Sequence, residues 1–124
     1  IYGTLFEGTN AILTNSYFAG ASNSGAASDL ATWYANNKKT QDLFTSTGAD
    51  AAKMIVMALT ANPNQNVDQM ITNLEGKSWV GVKGLMTISA SSHLLIQPMF
   101  LVSLNKSGSR YVPKLLKTIS GVGK

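Results

Sequence analysis

The chain has 124 residues and a formal net charge of +4 at pH 7, with 44% apolar, 8% aromatic and 13% charged residues. That composition supplies one domain with a core and excludes a highly charged disordered tail. There is no cysteine, which excludes a disulfide framework, a thiolate metal site and a cysteine nucleophile, and no apolar run approaches the ~18 residues of a membrane-spanning helix.

Residues 9–18, TNAILTNSYF, carry a short apolar run at Ala11-Ile12-Leu13 and then Tyr17-Phe18, which predicts a strand. The small, polar AGASNSG that follows is loop chemistry. A first helix is expected over 28–38, with Ser28 as N-cap and Leu30, Trp33 and Tyr34 on its apolar face. Asp29 suits its first turn, and Lys38 and Lys39 suit its other end. A second helix is expected over Ala49–Ala61, ended by Asn62-Pro63, with Ala51, Ala52, Ile55, Ala58 and Leu59 on one face. Only Asp50 and Lys53 are charged there, so the helix should be covered on most sides. The third helix has Asn66 as cap, Gln69 in the capping-box position, a stripe of Val67, Met70, Ile71 and Leu74, and a terminating Gly76. Met54, Met57 and Met70 read as core filling.

The remainder changes character. Gly84–Ile88 predicts a strand, and Ile96–Leu104 a nearly continuous apolar one, with Pro98 at its start or edge. A turn at Asn105–Gly108 leads to a hairpin partner at Arg110-Tyr111-Val112, and residues 114–119, KLLKTI, fit a short helix or a strand end. This order alternates too little for a complete doubly wound sheet. The apolar strand at 96–104 calls for neighbours that the chain supplies sparingly. A missing partner is therefore expected, in the same polypeptide or another. The opening residue is Ile1 and no leader pattern follows it, so the chain is read as a piece of a longer one.

Chemistry-bearing patterns are sparse. His93 is the only histidine and reads as a loop residue, without the partners a metal site needs. The carboxylates Glu7, Asp29, Asp42, Asp50, Asp68 and Glu75 form no close pair in sequence, and no phosphate-binding glycine motif or G-x-S-x-G elbow occurs. No enzyme, metal or cofactor is expected. Half of the ten cations (Lys106, Arg110, Lys114, Lys117 and Lys124) lie near the end, loosely spaced. They read as a solvated basic surface, not a nucleic-acid footprint.

The segment DLFTSTGADAAKMIVMAL at 42–59 resembles the part of branched-chain amino-acid-binding proteins in which a short strand leads through a turn into a long helix. Around it, Glu7-Gly8 followed by AILTNSYFAGASN resembles the family's Glu-Gly turn, inter-lobe strand and loop. NVDQMITNLE, GKSWVGVKGLMTIS and HLLIQPMFLVSL resemble later helix and strand segments, in the same order. The match extends over essentially the whole chain and rests on order and spacing together. It implies an α/β fold: part of the type I periplasmic-binding-protein (Venus-flytrap) architecture, with three helices, a small sheet and a C-terminal hairpin.

In that family two lobes close on a small solute and present it to an ABC permease in the membrane. The resemblance makes residues 1–124 a single partial domain, the C-terminal segment of such a protein, with inter-lobe crossings near 14–18 and 99–104. It implies a small amino-acid-like solute, no nucleic acid, self-association through the surface left open, and a periplasmic or extracellular location with a possible lipoprotein anchor. Ser16, Tyr17, Thr47 and Ala49 are the cleft-facing candidates. The family's Tyr-Asp-Ala is here Ala49-Asp50-Ala51, which leaves room for a bulkier solute. The rival readings are an autonomous structural or interaction domain and a ligand-sensing module.

Overall fold

The computed structural model describes residues 12–15, 17–64 and 66–123. Glu7-Gly8 and Ser16 lie outside the described residues. The elements are β1 (Ile12–Asn15), α1 (Gly25–Asn36), α2 (Leu43–Ala61), α3 (Val67–Leu74), β2 (Ser78–Gly81), β3 (Gly84–Ile88), β4 (Leu95–Ser107) and β5 (Arg110–Val122). Three helices and a five-stranded antiparallel sheet, closed by the β4–β5 hairpin, make the predicted architecture.

β4 organises the sheet. Along one edge it pairs with β3 at Leu95 and Ile96 and then with β1 from Phe100 to Ser103. Along the other it pairs with β5 from Gln97 to Ser107. Pro98 falls in the gap between the β3 and β1 pairings, where the register against β5 also shifts. A residue without an N–H sits there without breaking a continuous ladder. The chain itself thus supplies three neighbours for this strand, more than its sequence alone suggests.

α1 begins earlier than its apolar spacing implies. The N-cap is Ser24, not Ser28, and its Oγ accepts from the Ala27 N–H at 3.1 Å. The same Oγ donates to the Gly81 carbonyl at 2.8 Å, a tertiary bond that selects this serine over the later one. Ala27 is the buried residue of α1, and Trp33 is half-exposed with the Lys39 ammonium 5.6 Å above its ring.

α2 also starts upstream, at Leu43, where a strand and turn were expected. Asp42 and Thr45 close a capping box: the Thr45 N–H donates to Asp42 Oδ1 at 2.8 Å, and the Asp42 N–H to Thr45 Oγ1 at 3.2 Å. The reciprocal cap carries the helix through Thr45–Gly48, whose residues favour helix weakly. The buried side of α2 is Ser46, Asp50 and Ala58, with Met54 and Met57 packed below. Of the face expected inside, Ala58 is buried, whereas Ile55 is 53% exposed and Ala51, Ala52 and Leu59 are also exposed. Phe44 and Val56 extend this apolar outer surface.

α3 is capped by Asn66, whose side chain accepts from the Gln69 N–H at 3.0 Å. Gln69 Oε1 accepts from Asn62 Nδ2 at 3.0 Å and so ties α3 to the end of α2. The expected inner stripe of α3 is not buried: Val67 and Ile71 are exposed, and Met70 and Leu74 are half-buried. Gly76 terminates it at φ +70°, and its N–H donates to the Ile88 carbonyl at 3.0 Å.

β2 is a four-residue strand that sequence periodicity did not single out; it pairs with β3 through a Val82-Lys83 turn. β4 and β5 run past the expected turn to Ser107 and from Arg110, and the reversal is made at Gly108, φ +62°. Residues 114–119 are strand, held by pairing with β4 from Met99 to Ser103.

Two buried clusters form the core. Phe100, Val102, Tyr17, Ala21, Ala27 and Val82 make one, between the sheet and α1. Trp79, Met86 and Ile88 make the other, under Met54, Met57 and Leu74. Each large apolar side chain removed from water contributes about 1.5–3 kcal/mol. Met54 and Met57 pack against the second cluster as core filling, as expected, whereas Met70, half-buried on α3, belongs to neither cluster.

Candidate functional site

The turn between β2 and β3 carries the most concentrated polar chemistry. A Cβ on Gly81 would collide with Asp50 Oδ1 and Met86 Cε, so the strand end needs glycine to come this close to α2. Asp50 Oδ1 accepts from the Val82 N–H at 2.7 Å, and Asp50 Oδ2 is buried without a hydrogen-bond partner. Burial raises the Asp50 carboxyl above its ordinary range, against the lowering effects of the Val82 N–H and the nearby Lys83 charge.

Lys83, in the same turn, is 5% exposed. Its Nζ donates to Thr47 Oγ1 at 3.3 Å and Gln97 Oε1 at 3.2 Å. Burial lowers the ammonium's pKa, and the Asp50 charge opposes that shift. Two charged side chains thus occupy one buried layer between α2, the β2–β3 turn and β4.

An open cleft of about 450 Å³ lies beside this layer. The loop before α1 contributes Ala21, Ser22 and Asn23, and the turn and β3 contribute Lys83, Leu85 and Thr87. β4 adds Ile96, Pro98 and Phe100, and β5 adds Thr118 and Ser120. Alternation along the strands explains why Ile96, Pro98 and Phe100 share this wall while Gln97, one residue on, meets Lys83.

Tyr17 is 2% exposed, a member of the core against α1, and its hydroxyl donates to Gln41 Oε1 at 3.1 Å. Its burial, then the Asp50 charge, raises the phenol pKa. Ala49 packs against the same cluster, and Thr47 bonds Lys83. Tyr17 and Ala49 share the first core cluster and Thr47, itself exposed, bonds Lys83, so the three meet beside the Asp50–Lys83 layer, and none of them lines the cleft. Sequence reasoning missed Asp50, Lys83 and Gln97 as a group. The available signal was Asp50, a charge on a helix with almost no others, and Lys83 in the short Val82–Gly84 turn.

His93, at φ +57°, bonds Glu75 Oε1 through Nε2 at 2.9 Å, on the surface and away from the cleft. Among the described residues no group of three His, Cys, Asp or Glu side chains is placed to hold a metal ion, and no helix is long and apolar enough to cross a membrane.

No family model and no curated protein matches the sequence. Solved structures do match the fold. A branched-chain amino acid ABC-type transporter protein from Rhodopseudomonas palustris CGA009 superposes with a TM-score of 0.83 at 18% identity, covering 90% of this chain and 31% of the other. An ABC transporter solute-binding protein from R. palustris HaA2, solved with p-hydroxybenzoic acid, gives a TM-score of 0.78 at 16% identity, with 90% and 31% covered. The leucine-, isoleucine-, valine-, threonine- and alanine-binding protein of Brucella ovis gives 0.72 at 15% identity over the same shares. The chain spans about a third of the length of the structures it matches. It has part of the type I periplasmic-binding-protein fold, as its resemblance to the C-terminal portion of these proteins implied.

Proposed function

We propose that this chain is the C-terminal portion of the solute-binding component of an ABC importer. It captures a small solute, an amino acid or a related compound, between two lobes and delivers it to a membrane permease. The observation that carries the reading is the TM-score of 0.83 over 90% of the chain against a branched-chain amino acid ABC transporter protein. Neighbours solved with p-hydroxybenzoic, 3,4-dihydroxybenzoic and benzoic acids widen the solute class to aromatic acids.

The action is binding, not bond-making. A ligand that touches both lobes favours the closed form, because only that form offers both sets of contacts. In this reading residues 1–124 are one partial domain, the crossings lie near 14–18 and 99–104, and Ser16, Tyr17, Thr47 and Ala49 border the inter-lobe cleft. The complete protein is periplasmic or extracellular. The exposed apolar side of α2, with Phe44, Ile55, Val56 and Leu59, supports a covering partner from the rest of the polypeptide.

Calorimetric titration of the polypeptide encoded by the full reading frame, against panels of amino acids and aromatic acids, tests this. Binding of one compound in the micromolar range is expected. Absence of binding across both panels, or a reading frame with no further α/β sequence, overturns it.

A further inference from the structure

The long strand β5 leaves one edge of the sheet open. Among the described residues it pairs only with β4, so the backbone groups along its other edge have no strand beside them. Residues 112–120 are all exposed. The charge in this part of the chain has one sign. Glu75 is the last acidic residue of the sequence, and seven of the ten Lys and Arg follow it.

Register sets two of these cations on one face. Lys114 pairs with Ser103 and Lys117 with Leu101, and alternation puts both on the face opposite the buried Phe100 and Val102. Thr118, paired with Phe100, turns instead toward the cleft. Lys114 and Lys117 are exposed, and neither has a carboxylate partner among the described residues. The edge is guarded against a second copy of itself. Antiparallel self-pairing centred between Leu115 and Leu116 sets Lys114 against Lys117, and Pro113 offers no N–H. A strand with carboxylates at those positions meets the opposite situation: its backbone extends the ladder and its side chains face the two ammonium groups. A lipid phosphate accepts hydrogen bonds without donating any, so it matches the ammonium groups but not the outward carbonyls.

We infer that the free edge of β5 docks an acidic, extended segment of a separate polypeptide, added to the sheet as a further strand and selected by Lys114 and Lys117. Lysine and proline on an edge mark a strand that stays in water in the native protein. The segment therefore comes from another polypeptide, not from the remainder of this one. The two lysines lie across the sheet from the cleft, so the docking does not depend on which solute is bound. A short strand held by exposed charges binds weakly, with a Kd on the order of 1 mM.

Nuclear magnetic resonance titration of the isotopically labelled chain tests this. The probes are two acetylated octapeptides, one alternating glutamate and threonine and one alternating lysine and threonine, and phosphatidylglycerol vesicles. The glutamate peptide is expected to shift the amide resonances of residues 112 and 114–118 and to slow their hydrogen exchange, an effect that fades at high salt. The lysine peptide is expected to bind about tenfold more weakly. In a variant carrying both Lys114→Glu and Lys117→Glu, the order of the two peptides is expected to reverse. Equal responses to the two peptides, or an order that the variant keeps, overturn selection by these lysines. Silence of both peptides at β5, or a response to vesicles alone, overturns the docking of a strand. Hydrogen exchange of the polypeptide encoded by the full reading frame, without peptide, is expected to stay fast over residues 114–118. Slow exchange there would put the remainder of that polypeptide on the edge and overturn the separate partner. The two-peptide comparison on the unaltered chain needs no substitution, so it decides the matter even if the variant does not fold.

Discussion

Asp50 Oδ1 accepts the Val82 N–H at 2.7 Å and thereby pins the middle of α2 to the turn that carries Lys83. The bond joins residues 32 apart in sequence and ties α2 to the sheet edge. Asp50→Ala leaves the Val82 N–H buried and unpaired. A loss of about 2–3 kcal/mol is expected, measured by urea denaturation. Asp50→Asn keeps an acceptor and should cost less. Equal losses for the two variants would show that the carboxylate charge, not the hydrogen bond, holds the turn.

The same carboxylate gives a pH signature. Burial raises its pKa above the ordinary 3.8, so the folded state holds this proton more tightly than the unfolded chain. Its contribution to stability is fully present below pH 3.8 and is lost as pH rises through the raised value. Between pH 4 and pH 7 the wild type should therefore lose stability relative to Asp50→Asn. Urea midpoints of both proteins across that window measure it. A difference independent of pH sinks the prediction.

Gly81→Ala places a methyl group on Asp50 Oδ1 and Met86 Cε. Both atoms are side-chain ends of buried residues, so relief requires Met86 to repack and Asp50 to give up its bond to the Val82 N–H. A loss of about 1–3 kcal/mol is expected from overpacking, read as a lower thermal midpoint. An unchanged midpoint would mean that the layer between α2 and β2 has slack.

The two serines at the start of α1 separate local from tertiary capping. Ser24→Ala removes the cap bond to the Ala27 N–H and the bond to the Gly81 carbonyl. A cost of about 1–2 kcal/mol is expected. Ser28→Ala, inside the helix and exposed, should shift stability by less than about 0.5 kcal/mol. Comparable effects from both would place the helix start later than Gly25.

The outer side of α2 tests for a covering partner. Ile55 is exposed in this chain, so Ile55→Ser should change its stability by under about 0.5 kcal/mol. In the full-length polypeptide the same substitution should cost about 1.5–3 kcal/mol, the value of burying such a side chain. Small effects in both proteins would leave that face in water and remove the argument for a missing partner.

Several features needed only neighbouring residues to be read. The Asn66 cap, the Gly76 stop, the Asn62-Pro63 end of α2 and the β3 strand each follow from local backbone preferences, and each is where the sequence put it. The core role of Met54 and Met57 was legible too. The start of α2 was not, because its apolar period begins near Ala49 while its cap lies seven residues earlier, at Asp42. KLLKTI has no period that separates helix from strand; pairing with β4 decided it.

The sequence by itself determined the order of the elements apart from β2, the ends of α2 and α3, and a likeness to one part of a two-lobed fold. Only the tertiary structure decided that Ser24 and not Ser28 caps α1, that Asp50 and Lys83 share a buried layer, and which side of α2 meets the core. Capping, turns and periodicity act over a few residues and leave local marks. A buried charge is tolerated only through groups that reach it from distant segments, here Val82 for Asp50 and Thr47 and Gln97 for Lys83, and no local pattern records that meeting.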